Sequence, residues 1–166
     1  MTGARARSRI QRSRAELLKF DELGFVFRAP GLPWNQTDAR RFGRSPVLAF
    51  ARVEPMFFTV SANRLQPGFF DARSRLVEMC KTSTRRDATS YRLVKEGEVT
   101  RNGIAGWQTE TQAAFQGHEY YLVHWIVAAN GFGYQLVTWG PPALSSQVKL
   151  EAESLFSNFE LTTRKD

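Results

Sequence analysis

Cysteine is almost missing from this sequence. Cys80 stands alone among 166 residues, which excludes an internal disulfide framework and any multi-cysteine metal site. Histidine is nearly as scarce, with His118 and His124 only. Six positions apart in one strand, they share a face but lie about 20 Å apart at a rise of roughly 3.3 Å per residue. They cannot hold one metal ion between them. No apolar run nears the roughly 20 residues that a membrane-spanning helix needs. Also missing are a G-x-S-x-G elbow, a Walker loop, an H-E-x-x-H pair and a dinucleotide fingerprint. Asn130-Gly131-Phe132-Gly133 has the glycines of a phosphate loop, but it joins two segments of strand character and so offers no helix N-terminus to an anion. The carboxylates are scattered. Glu96 and Glu98 share a strand face, and Lys95 and Arg101 nearby mark them as surface charge rather than a general acid/base pair. These absences set the expectation of a protein that is not an enzyme and uses no metal or cofactor.

Acid is missing from the start of the chain. Residues 1–14 carry Arg5, Arg7, Arg9, Arg12 and Arg14 and no Asp or Glu, while the other residues carry 18 basic and 16 acidic side chains. The net charge of +7 therefore belongs largely to a basic tail over residues 1–16, read as disordered and solvated, ahead of one domain over residues 17–166. Five arginines in such a tail can bind nucleic acid or an anionic membrane surface by charge alone. The tail has no apolar h-region, so it is not a secretory signal. It weakly resembles an organelle transit peptide, and the expected location is the cytoplasm.

What is present is a Phe-rich core. Hydrophobic residues make up 42% and thirteen are phenylalanine, enough for a folded domain without staples. The clearest signal is Asn130-Gly131, a two-residue type I′ hairpin turn, between the apolar runs Tyr120–Ala129 and Phe132–Trp139. A two-residue loop sets Ala129 opposite Phe132, Val127 opposite Tyr134, Trp125 opposite Leu136 and His124 opposite Val137. Tyr120–Ala129 is apolar on both faces, which predicts a central strand covered on each side. Tyr91–Val99, Ile104–Phe115, Glu119–Ala129 and Phe132–Trp139, joined by short turns, predict a four-stranded antiparallel meander.

Earlier strands are expected over Gly24–Ala29, Val47–Val53 and Met56–Asn63. In the last of these, Met56, Phe58, Val60 and Ala62 alternate with Phe57, Thr59 and Ser61. Residues 35–46 read as a loop. Phe69–Ser83 suits a helix with Phe69, Arg73, Leu76, Val77 and Cys80 on its buried stripe and Asp71, Arg75, Glu78 and Lys81 facing away. Thr84–Ser90 reads as a polar linker. Leu144, Val148, Ala152, Leu155, Phe156 and Phe159 form one apolar stripe on a closing helix after Pro141-Pro142, and residues 160–166 read as a polar terminus. Cys80 is expected to be a small buried hydrophobe, and His124 a satisfied, half-buried histidine.

The stretches GFVFRAPGLPW, GIAGWQTETQAAF and EYYLVHWIVAANGFGYQLVTW, followed by a helix ending LFSNFEL, resemble the PsbP/Mog-type fold family over roughly residues 23–161. The resemblance implies an α+β single domain: an antiparallel sheet of about 6–7 strands, with the four-stranded meander towards the C-terminus, flanked by helices as an α/β/α sandwich. It also implies no catalytic centre and a role in binding another protein. No motif here lets the family's partner-binding residues be carried over. For binding, the residues singled out are Trp34, Trp107 and Trp139, near element ends where tryptophan can serve an interface, and the basic residues Arg85, Arg86 and Arg92. The alternatives are nucleic-acid or anionic-surface binding through the tail, and a ligand-binding or enzymatic pocket between sheet and helix.

Overall fold

Asn130 and Gly131 take φ of 53° and 77°, the left-handed pair that a type I′ turn demands and that Asn and Gly adopt at least cost. The turn clamps β8 (His118–Ala129) against β9 (Phe132–Gly140). The four facing pairs expected from the sequence all form. With β6 (Ser90–Arg101) and β7 (Ile104–Phe115) they make the antiparallel meander. The computed structural model describes residues 16–53, 55–68 and 72–162. Within these, β1 (Leu17–Phe20), β2 (Phe25–Arg28), β3 (Asn35–Thr37), β4 (Pro46–Ala51), β5 (Phe57–Arg64) and α1 (Ala72–Asp87) precede the meander. Then α2 (Ser145–Phe156) and β10 (Phe159–Leu161) follow it.

Seven strands form one sheet in the order β3-β4-β5-β9-β8-β7-β6, and three form a second in the order β1-β2-β10. On one face of the large sheet lie α2 and the small sheet. Their apolar side chains close a single core with the inward residues of β5, β8 and β9. Phe27 stacks on Phe58 at 5.3 Å, Trp125 on Phe156 at 6.3 Å, and Phe159 meets Tyr134 edge-on at 5.2 Å. Val148, Ala152, Leu155 and Phe156 are buried on α2, four of the six residues of its apolar stripe. Each buried large side chain of this kind contributes about 1.5–3 kcal/mol.

On the other face lies α1. Val77 alone among its described residues is buried, and the sheet beneath carries Thr109, Thr111 and His124, with Thr59 and Ser61 on the same face further along. A helix over so many polar groups gains little apolar burial. Gly133 lets it come close: a Cβ there would lie 2.8 Å from Leu76 Cδ2.

The structure corrects the sequence reading at several points. A second, three-stranded sheet exists, because Phe159–Leu161 pairs with β2 rather than forming part of the closing helix and a polar terminus. Residues 35–46 are not all loop, since Asn35–Thr37 pairs with β4 and Ala39–Phe42 forms a 3₁₀ turn capped by Asp38. Thr84–Asp87 is the last turn of α1 rather than a linker. The residues after Pro141 first form a 3₁₀ turn, Pro142–Leu144. Lys81 turns inward instead of away, because Glu96 on β6 offers it a carboxylate. Phe69, Asp71 and the arginine tail lie outside the described residues.

The long outer strand β6 is blunted as an edge. Its register shifts between Leu93 and Lys95, and Arg92, Lys95, Glu96 and Glu98 line it. Both devices disfavour pairing with another strand.

Candidate functional site

Strand alternation places Phe57, Trp139 and Leu122 side by side on the α1 face, through the pairs Phe57–Trp139 and Trp139–Leu122. The row beside them holds Tyr120, Ala113 and Tyr91. Phe42, from the 3₁₀ turn over β4, closes one end. Its ring meets Trp139 edge-on at 5.3 Å, while Phe57 stacks on Trp139 at 5.5 Å. Leu122, Val137 and Ala113 form a small buried cluster beneath, with Tyr120, Phe115, Tyr91 and Trp139 packed on it and only partly covered. The result is an aromatic stripe that crosses the sheet past the C-terminal end of α1.

Arginines stand at both ends of the stripe. The Arg41 guanidinium lies 5.7 Å from the Phe42 ring, and that of Arg85 lies 5.0 Å from the Tyr91 ring. Such cation–π contacts hold the charge at the rim while leaving its outer side in water. Arg40 pairs with Asp38 at 2.9 Å and Arg86 with Asp87 at 3.1 Å. The Asp38 carboxyl is held below its ordinary range chiefly by its hydrogen bond from Arg40.

The residues singled out from sequence do not all meet. Trp139 and Arg85 belong to the stripe, and Arg86 is exposed beside it. Trp107 is on the same face but lies against the first half of α1, beside Val77 and Lys81. Its indole N–H donates to Glu96 Oε2 at 3.2 Å, and Lys81 binds the same carboxylate. These contacts lower the Glu96 pKa, the hydrogen bond from Lys81 first. Arg92 points to the α2 face and bonds Gln112. Trp34 is 5% exposed, in the core. Its indole N–H donates to Glu151 Oε2 at 2.9 Å, and Arg52 donates to Glu151 Oε1 at 2.6 Å. Sequence reasoning missed Phe42, Phe57, Tyr91 and Tyr120 as surface residues. The alternation that set Phe57 apart from Phe58 was the available signal for one of them.

A second group of chemical side chains lies under α1. Cys80, Lys81, Thr84, Tyr91, Thr109, Thr111 and His124 line a hollow whose cavity volume is about 0 Å³. It falls far below the roughly 300 Å³ at which small-molecule sites begin. His124 is not half-buried and satisfied, as the sequence suggested. It is 6% exposed and its Nδ1 has no hydrogen-bond partner. Burial drives its pKa down to about 4 and that of the Cys80 thiol up to about 12. A reactive cysteine needs the opposite, a thiolate beside an imidazolium. Among the described residues, no group of three His, Cys, Asp or Glu side chains is placed to hold a metal ion. Nor is any described helix long and apolar enough to cross a membrane.

No family model matches the sequence, and no curated protein matches it either. Solved structures do. PsbP of the cyanobacterium Synechocystis sp. PCC 6803 superposes with a TM-score of 0.66 at 11% identity, over 94% of this chain and 97% of that one. The Ran-binding protein Mog1p of Saccharomyces cerevisiae gives 0.59 at 9% identity, over 89% and 95%. LpqN of Mycobacterium tuberculosis, involved in cell envelope biogenesis, gives 0.63 at 12% identity, over 84% and 83%. At such identities the likeness is one of architecture. Together with the antiparallel sheet, its two flanking helices and the closing strand pair, it shows that this chain has the PsbP/Mog-type fold.

Proposed function

We propose that the protein is a non-catalytic interaction module whose contact surface is the aromatic stripe Phe42–Phe57–Trp139–Tyr120–Tyr91. The observation that carries this reading is the run of partly exposed rings on one sheet face, from β5, β9, β8 and β6, with Ala113 of β7 between the last two. Aromatic side chains supply large contact area at low entropic cost and dominate interface energetics. The groups most able to do chemistry point the same way. Cys80 and His124 line one small hollow but are neutralised by burial in the wrong direction for an activated pair. Mog1p, which shares the fold, is a Ran-binding protein, and this lends support to a binding role without naming a partner here.

Site-specific cross-linking tests the reading. p-Benzoylphenylalanine in place of Phe57 labels a discrete protein in native lysate, and adding Trp139→Ala abolishes that label. The same probe in place of Leu150, 72% exposed on α2, does not label it. Equal labelling from both positions, or none from position 57, overturns the assignment.

A further inference from the structure

The stripe has a length and a charge as well as an apolar surface. From Phe57 on β5 to Tyr91 on β6 there are four strand spacings, about 19 Å at roughly 4.8 Å each. An α-helix of about 13 residues covers that span at 1.5 Å per residue. The ends of the span are basic. Arg41 and Arg44 stand by Phe42, and Arg85 stands by Tyr91. Among the described residues Asp38 and Asp87 are paired with Arg40 and Arg86, and no ion pair is made by Arg41, Arg44 or Arg85, although Arg41 bonds Thr37 Oγ1 at 2.9 Å and lies near enough to Asp38 to help lower its pKa. Glu119, beside Tyr120 in sequence, points to the opposite face.

On the reading that the stripe is a contact surface, we infer that its occupant is an acidic amphipathic protein segment laid across the strands. Its apolar side would rest on Phe57, Trp139 and Tyr120, and its carboxylates would meet Arg41 and Arg44 at one end and Arg85 at the other. Charge complementarity of this kind fixes orientation and speeds encounter.

A basic rim around aromatic residues also suits single-stranded nucleic acid, which stacks its bases on free ring faces. Here Phe57 and Trp139 each give one face to the other, Phe42 meets Trp139 edge-on, and Arg85 covers one face of Tyr91. Rings packed on one another leave less free face for stacked bases and more apolar area for side chains.

Panning the full chain against a phage-displayed random library of peptides about 16 residues long tests this. Enriched peptides should carry more Asp and Glu than Lys and Arg, with apolar residues recurring at helical spacing. Their affinity should fall about tenfold with Trp139→Ala. It should fall several-fold with Arg41→Glu and with Arg85→Glu, and weaken as salt rises. Neutral or basic peptides that still require Trp139 overturn the acidic occupant and leave the contact surface standing. Peptides indifferent to Trp139 and to the arginines overturn both, as does no enrichment. Tighter, Trp139-dependent binding of a labelled oligothymidine about 20 nucleotides long overturns the protein occupant in favour of nucleic acid.

Discussion

The indole N–H of Trp125 donates to the backbone carbonyl of Val99 at 3.0 Å, reaching across the whole width of β7 from β8 to β6. It passes over Gly106, where a Cβ would lie 2.3 Å from Nε1. The absence of a side chain at one position therefore lets the largest core residue satisfy its only donor.

Gly106→Ala should displace the indole and break that hydrogen bond. The combined cost of overpacking and an orphaned donor is about 3 kcal/mol. Urea unfolding should show a lower midpoint with an unchanged m-value, and Trp125 fluorescence should shift. A midpoint equal to that of the parent chain contradicts the close approach.

Stability should fall with acidification before the carboxylates titrate. His124 has an ordinary pKa of 6.5 when unfolded and one of about 4 when folded, so the unfolded state binds the proton more tightly. The stabilisation is complete above pH 6.5 and is lost as pH falls towards 4, by about 3 kcal/mol in all. Lys81, Cys80 and Tyr91 line the same space, and none of them supplies a negative charge to offset the imidazolium. Glu96 is held low by Lys81 and Trp107, so its titration comes later. Denaturation midpoints from pH 7 to pH 5 should slope for the parent chain and flatten for His124→Leu.

Cys80 should resist alkylation while the protein is folded. With its pKa raised from 9.0 to about 12, its thiolate fraction at pH 8 is about a thousandfold below that of a free thiol. Iodoacetamide should modify it at a matching fraction of the unfolded rate. A faster reaction that stays proportional to local opening would report α1 lifting from its polar bed, which native-state hydrogen exchange along Ala72–Asp87 would locate.

Glu151 is a clamp for two aromatic-side partners, Trp34 and Arg52. Glu151→Ala should cost about 2 kcal/mol, whereas Glu151→Gln keeps an acceptor for the indole and should cost less. Thermal unfolding of both variants distinguishes a clamp from a surface carboxylate, whose removal would change little.

Much of this architecture was legible because it is local. Asn130-Gly131 fixes the turn, and the turn fixes every facing pair of β8 and β9. The stripe Val148, Ala152, Leu155 and Phe156 fixes the buried side of α2. Long-range features were not legible in the same way. Phe159–Leu161 is three residues that become a strand only because β2 lies beside them. Lys81 breaks the rule that charge faces water because its partner, Glu96, comes from another element. The proposed contact surface was half visible. Trp139 stood out by residue type and Arg85 by charge. Phe42 joined them through a turn read as loop, and Tyr91 and Tyr120 through strand register across the meander. Trp34 and Arg92 carried the same residue types, but register and burial send them elsewhere.

The pairing of Phe27 with Phe159 has a consequence for biosynthesis. A ribosome delivers β2 early, yet its partner strand emerges only after both helices and the entire meander. Until then Phe25 lacks the ring of Phe159 that stacks on it, Phe27 lacks its strand neighbour, and the small sheet is left as the β1–β2 pair alone. Nascent chains stalled before residue 159 should therefore remain protease-sensitive and chaperone-bound, and release of those few last core residues should convert them to the resistant form in one step.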